Sequence, residues 1–504
     1  MHSHGSRFRL LPLVIALQAA TLGAVQAADF SVAPGATDSS AKTLTTGNTG
    51  TVGTGASLST SAGTSVDITG TSGTVTLNNS GTIANTGTGR AIDNNTNGVA
   101  IVITNDGTIT SISSDALRLN KANSSLVLNN NGTIKVTGTG TSGGQALDLR
   151  GADGTGSKVI NNGSASNKNA VISSSNDDAL RPGSNTTINN YGTIISTGVV
   201  NTKCPDYLTT PCSGAASAMD AIDAKLAVTV NNWGTISGPR HGVTSDAGVT
   251  VTNYAGGQII GRNGSGVGSD GVGTVVNYGL ISGRYAGAGN VYEHLGGSTG
   301  YSTANNGDGD GVDIDGIATV INYGRIEGLG AGGVDSSGFP NGADGIAAGG
   351  GTITNYAGGE IFGQSKGILI DDGANGSAVV SGRGTATAVG GAAVISNAGS
   401  IIGADSTAIG LVGNFADSLT NLAGGVIRGG AQSVRVDQLS STTAAAAVQM
   451  GAGSDTVINA GSIVGLNGLA LDMGTGDDTL TVYTTGTLGG LVEGGDGTDT
   501  LTLT

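Results

Sequence analysis

Aromatic residues are scarce: the 504-residue chain holds five Phe, ten Tyr and a single Trp. Ordinary compact domains build thick cores on Leu and aromatic rings, so a division into several such domains is excluded. Charge is sparse as well, at 11% of residues, with 21 Lys and Arg set against 36 Asp and Glu for a net charge of −15. The basic residues are scattered, and without a basic stripe there is no electrostatic basis for binding nucleic acid or an anionic membrane surface. No apolar run beyond residue 27 approaches the roughly 18 residues of a membrane-spanning helix. A helical bundle and a coiled coil are excluded with these classes, because 93 residues are glycine and glycine weakens helices.

What the chain has in quantity is Gly, Asn, Thr and small or β-branched apolar residues, a composition suited to a thin, repetitive β structure. Its first residues form an address. Arg7 and Arg9 precede an apolar stretch over 10–25, and Val25-Gln26-Ala27 supplies small residues before a cleavage point. This is the pattern of a secretory signal peptide cut between Ala27 and Ala28. Removing Arg7 and Arg9 takes the mature charge from −15 to −17. In an exported chain the two cysteines, Cys204 and Cys212, are expected to close one small Pro-containing disulfide loop. Their spacing suits neither a CxxC redox site nor zinc.

A pentapeptide, Asn-x-Gly-x-Ile, organises the rest. It begins at Asn79, Asn105, Asn130, Asn190, Asn232, Asn277, Asn322, Asn397 and Asn459, with a degenerate copy read at Asn161-Asn162-Gly163. Copies with two extra residues begin at Asn253, Asn355 and Asn421. First asparagines are 21 to 45 residues apart, and the short intervals recur where nothing is inserted. Such a period marks a solenoid. A β-branched run such as Val228-Thr229-Val230 precedes most copies, and alternating segments such as Gly311-Val312-Asp313-Ile314 lie between them. Each period therefore reads as three short strands joined by Gly and Asn turns.

Stacked, these units form an all-β, right-handed parallel β-helix. Division of about 430 residues into coils of about 24 gives roughly 18 coils and a length of about 85 Å. The motif Ile points inward, and the Asn side chains (Asn79, Asn105, Asn190, Asn232, Asn277, Asn322, Asn397, Asn459) form a structural ladder. Residues 28–70 read as an N-terminal cap or irregular segment, 71–447 as repeats with inserted loops, and 448–504 as C-terminal coils. The inserts lie between Asn190 and Asn232, over 285–306, and over 373–391.

The signal peptide, the Asn-x-Gly-x-Ile array and three terminal segments carry a resemblance. The segments are Gly451-Ala452-Gly453-Ser454-Asp455, Gly474-Thr475-Gly476-Asp477-Asp478 and Gly495-Asp496-Gly497-Thr498-Asp499. Over about residues 70–504 the chain resembles the passenger domain of type V autotransporters of Gram-negative bacteria. The resemblance implies export to the cell surface or outer membrane and a role in adhesion, autoaggregation or biofilm formation. The implied partners are a host or neighbouring-cell surface, glycans, or a second copy. It also implies a translocator β-barrel. Residues 448–504 read instead as coils that stop within a repeat-like strand, so the expectation is a fragment, a truncated passenger, or one exported with a separate barrel.

No catalytic residues and no cofactor are expected. Asn306, Asp308 and Asp310 match the opening of an EF-hand loop, with Asp313 and Asp315 beyond it, and Asn306, Asp308, Asp310 and Asp313 form a weak Ca²⁺ candidate. Ile317 stands where the bidentate Glu belongs, which favours a solvated Gly–Asp turn. The three terminal Gly-x-Gly-x-Asp segments resemble calcium-binding nonapeptides, but they recur every 21 to 23 residues instead of in tandem, and so read as ordinary coil turns. A glycan lyase or hydrolase is the alternative function, built on Asp313, Asp315, Asp344 and Arg325 if adjacent coils gather them. Aromatic residues following the motif Asn, from Tyr191 to Tyr356, predict a ladder that stacks sugar rings or, as the favoured reading, covers one corner. A Thr-based ice-binding face fails, since Thr at 82, 108, 133, 193 and 235 gives way to Gln258, Leu280 and Arg325.

Overall fold

The computed structural model describes residues 28–70, 72–138, 144–175, 177–197, 220–284, 309–330, 342–370, 390–430 and 445–504. All regular structure among them is strand, in two long parallel sheets of 17 and 30 members. The chain is an all-β parallel β-helix.

One coil shows why. Val228–Asn232 is the first strand, Thr235–Gly238 the second and Val243–Ser245 the third. Each alternates buried and half-exposed positions at its start, the period-2 signature of a strand with one face in a core. The first strands of successive coils make the 17-membered sheet, and the second and third strands together make the other. Pairing is in register: Val228, Val230 and Asn232 face Val249, Val251 and Asn253, while Ile236 faces Ile259. Equivalent residues thus form columns along the axis. Seventeen first strands stacked about 4.8 Å apart make a rod of about 77 Å.

The inward columns fuse into one continuous core. The motif isoleucines, including Ile83, Ile109, Ile134, Ile194, Ile236, Ile281, Ile326, Ile401 and Ile463, are fully buried. Each contributes about 1.5–3 kcal/mol of transfer free energy, but only against its neighbours above and below. Aliphatic residues fill the interior, and among the described residues Phe30 is the only ring packed against it.

Two sequence expectations need correction. Residues 28–70 are regular: Phe30–Val32 pairs with Thr49–Val52, and that strand with Thr74–Asn79, so the coils begin before the first motif. The degenerate copy is also displaced by one residue. Asn162, not Asn161, stands in register with Asn130 and Asn190. After it the chain makes a detour with an antiparallel bridge between Ser164 and Asn167, and resumes at Val171–Ser174. Ala170 takes the place of the motif glycine, its carbonyl accepting from Thr193 N–H. In the copies with two extra residues, Gly256, Gly358 and Gly424 adopt φ of +82°, +86° and +87°, a turn conformation natural to glycine.

Candidate functional site: the surface columns

Because the coils are in register, every chemical feature of this molecule is a column. The innermost polar one is the asparagine ladder. From Asn79 to Asn459, Nδ2 of each motif asparagine donates to Oδ1 of the next at 2.7–2.9 Å, through Asn105, Asn130, Asn162, Asn190, Asn232, Asn253, Asn277, Asn322, Asn355, Asn397 and Asn421. All are buried. Each amide also donates to a second-strand carbonyl one coil on, as Asn277 does to Arg325 at 3.1 Å, and Oδ1 accepts from a motif glycine, as from Gly279 at 3.1 Å. The ladder satisfies the backbone groups that the sharp corner leaves unpaired; its role is structural.

A second ladder, outside the barrel wall, escaped the sequence reading. Asn161 donates to Asn129 at 2.9 Å, Asn189 to Asn161 at 2.9 Å and Asn231 to Asn189 at 3.0 Å. It belongs to the outward face of the first strands. Among the described coils that face presents Thr, Asn, Ser, Val, Ile and Ala, and no charged side chain. Thr187, Thr229, Thr250, Thr274, Thr319 and Thr352 stand one above another in its middle.

At the corner after the asparagine ladder the aromatic residues stack. Ring centroids are 4.4 Å apart for Tyr191–Trp233, 4.0 Å for Trp233–Tyr254, 6.4 Å for Tyr254–Tyr278, 4.7 Å for Tyr278–Tyr323 and 4.3 Å for Tyr323–Tyr356. Interplanar angles run from 2° to 13°. The rings cover one another's faces and show their edges outward, which leaves little π-face for a sugar ring.

Charge collects on the opposite side, along the third strands. Asp93, Arg118, Asp148 and Arg181 succeed one another in register with alternating sign. Arg118 grips Asp93 through two bonds of 2.9 and 2.8 Å. Arg181 meets Asp178 at 2.6 Å and Asp177 at 3.0 Å, and Arg240 holds Asp220 at 2.7 Å. Burial pushes the Asp178 carboxyl well up, and Arg181 opposes that shift. Burial, with Arg240 beside it, lowers His241 to about 3. Its Nδ1 accepts from Ser265 N–H at 2.8 Å, so the ring is neutral with its proton on Nε2 and its lone pair already engaged. In sequence, the segments 139–143, 198–219, 285–308, 331–341 and 431–444 all fall between the second and third strands of their coils.

Near the C-terminal end a carboxylate column occupies the turn between third and first strands. Oδ1 of Asp455 accepts from Asp417 N–H at 2.7 Å, that of Asp478 from Asp455 N–H at 2.7 Å and that of Asp499 from Asp478 N–H at 3.1 Å. Oδ2 of Asp455 and of Asp478 is buried without a hydrogen-bond partner. Burial raises Asp417 to about 6 and Asp455 to about 7, Asp478 moving the same way. The three Gly-x-Gly-x-Asp segments are therefore consecutive in space although separated in sequence. A cavity of about 360 Å³ lies beside them, lined by Gln449, Asp472 and Glu493 among others.

The remaining sequence candidates are dispersed. Ala27, Cys204, Cys212, Asn306 and Asp308 lie outside the described residues; Ala28 is exposed. Asp310 is buried, its Oδ1 accepting from Asp344 N–H at 2.6 Å, and Asp313 accepts from Ser265 Oγ at 3.3 Å. Among the described residues no three His, Cys, Asp or Glu side chains converge as metal ligands. The proposed lyase set is split: Arg325 pairs with Glu327 at 2.5 Å and Glu360 at 2.7 Å on the second strands, while Asp313 is flanked in its third-strand column by Gly268 and Ala347. Comparison with known proteins leaves the chain without a counterpart: no family model, no curated protein and no solved structure matches it.

Proposed function

We propose that this protein is an exported, surface-displayed β-helical passenger of the autotransporter type, and that it acts in adhesion and autoaggregation without catalysis. The observation that carries this reading is the charge-free outward face of the first strands. On a chain of net charge −15, a face without charge, about 77 Å long, is where a second copy approaches with least repulsion. Its Thr, Asn and Ser side chains offer a hydrogen-bonding group at every coil. Each contact is weak, and repetition along two rods multiplies them into avidity. The same face suits a neighbouring cell's glycans, whose hydroxyls match Thr and Asn.

The combined substitution Thr229→Asp, Thr250→Asp, Thr274→Asp and Thr319→Asp places four carboxylates on that face. Cells displaying the folded variant should lose clumping, measured by settling of a standing culture, while circular dichroism keeps its β signature. Undiminished clumping would overturn the assignment. The alternative, a glycan lyase or hydrolase, draws on the charged strip along the third strands. It predicts activity on an acidic polysaccharide that Asp313→Asn or Asp315→Asn removes.

A further inference from the structure

The aromatic column does more than cover a corner, and this step is independent of the adhesive reading. Tyr278, Tyr323 and Tyr356 lie on three successive coils, their rings nearly parallel at 4.7 and 4.3 Å. They are open to solvent, at 43%, 38% and 42% exposure. Two phenols held face to face, both reachable from solution, are arranged for coupling instead of for isolated oxidation. Holding two reacting groups at near-contact distance converts a bimolecular encounter into an effectively unimolecular step.

We propose that the Tyr278–Tyr323–Tyr356 stack is a site of oxidative cross-linking, forming dityrosine between adjacent coils when the protein meets a one-electron oxidant such as a haem peroxidase with hydrogen peroxide. The balance is simple. Each phenol gives one electron to the oxidant and loses its hydroxyl proton, leaving two phenoxyl radicals. These join by a carbon–carbon bond between ring positions ortho to oxygen. The hydrogen on each joined carbon then returns to its oxygen as the rings regain aromaticity. The product is two hydrogens lighter than the two tyrosines, the oxidant having taken two electrons and the solvent two protons. The Tyr323–Tyr356 bond would tie coils that the segment 331–341 separates in sequence, and the Tyr278–Tyr323 bond coils that 285–308 separates.

The stack carries its own control. Tyr483 is as exposed, at 45%, but occupies the coil after Ala460 and has no stacked ring beside it among the described residues. Peroxidase and hydrogen peroxide are applied to the whole protein at high dilution, followed by dityrosine fluorescence and mass spectrometry of cross-linked peptides. The expected result is intramolecular product joining Tyr323 to Tyr356 or to Tyr278, with a yield that does not change on tenfold dilution. Tyr483 should be absent from it. The double variant Tyr278→Phe and Tyr356→Phe keeps the stacked rings, and so the fold, but leaves Tyr323 without a phenol neighbour. It should lose at least nine-tenths of the fluorescence. Product that is mainly intermolecular, that includes Tyr483 equally, or that survives in the double variant overturns the proposal.

Discussion

Replacing Asn277 by Ala tests whether the buried ladder holds the coils together or merely accompanies them. The side chain sits mid-column. It accepts from Asn253 at 2.9 Å and from Gly279 N–H at 3.1 Å, and donates to Asn322 at 2.9 Å and to the Arg325 carbonyl at 3.1 Å. Truncation strands the Gly279 N–H without that acceptor, weakens the hold on two asparagines, and leaves a small void. Each net hydrogen bond counts for about 1 kcal/mol and an unsatisfied buried group costs about 1–3 kcal/mol. Other partners remain nearby: Asn253 still donates to the Leu280 carbonyl and Asn322 still accepts from Gly324 N–H. The expected loss is therefore about 3 kcal/mol, less than the sum of the parts. Because a solenoid's stability is the sum of neighbouring interfaces, hydrogen exchange should accelerate over the coils bearing Asn253, Asn277 and Asn322 and stay slow elsewhere. Urea unfolding gives the magnitude and exchange mass spectrometry the location. At the end of the ladder Asn459 donates to Thr487 O, with no further asparagine beyond it, so Asn459→Ala should cost less. A loss under about 0.5 kcal/mol at Asn277, or acceleration spread evenly along the rod, would refute the reasoning.

Two further outcomes follow from the columns. Gly234→Ala places a Cβ about 2.0 Å from the Gly192 carbonyl oxygen, a clash between backbones one coil apart; the variant should unfold by several kcal/mol or accumulate as insoluble protein, and wild-type melting would contradict this. The raised Asp417 and Asp455, at about 6 and about 7, bind protons more tightly folded than unfolded. Their contribution to the stability of the C-terminal coils is complete below about pH 4 and disappears as pH rises through 7. Exchange there should be slower at pH 5 than at pH 8 after correction for intrinsic rates, and Asp455→Asn should flatten the difference; a profile unmoved by that substitution would exclude the column as its source.

The coil was legible in the sequence because a motif recurring at nearly constant spacing has one stacking solution. The asparagine and aromatic columns followed from the same count. What escaped depended on phase. At Asn161-Asn162-Gly163 an inserted detour imitates the motif one residue early, and only strand register shows Asn162 to be the ladder member. The outer ladder had a signal in the doublets Asn129-Asn130, Asn161-Asn162, Asn189-Asn190 and Asn231-Asn232, where the first residue faces out and the second in. The terminal carboxylates were dismissed for being 21 to 23 residues apart, which is the length of one coil. The charged strip was illegible, since insertions of unequal length separate its members and the count cannot be carried across them.

The buried amides also give the rod a direction. Every Nδ2 in the inner ladder donates toward the C-terminal neighbour, and its orientation is fixed because the same amide must give to a carbonyl and receive from an N–H. The outer ladder runs the other way, from Asn231 back to Asn129. A coil that has just folded thus presents an amide donor to the next length of chain, and an asparagine arriving in phase accepts it. Growth by such addition is polar, like the ends of a filament: one end offers donors, the other acceptors. A chain that emerges progressively could be wound up in one sense, each completed turn setting the register of its successor.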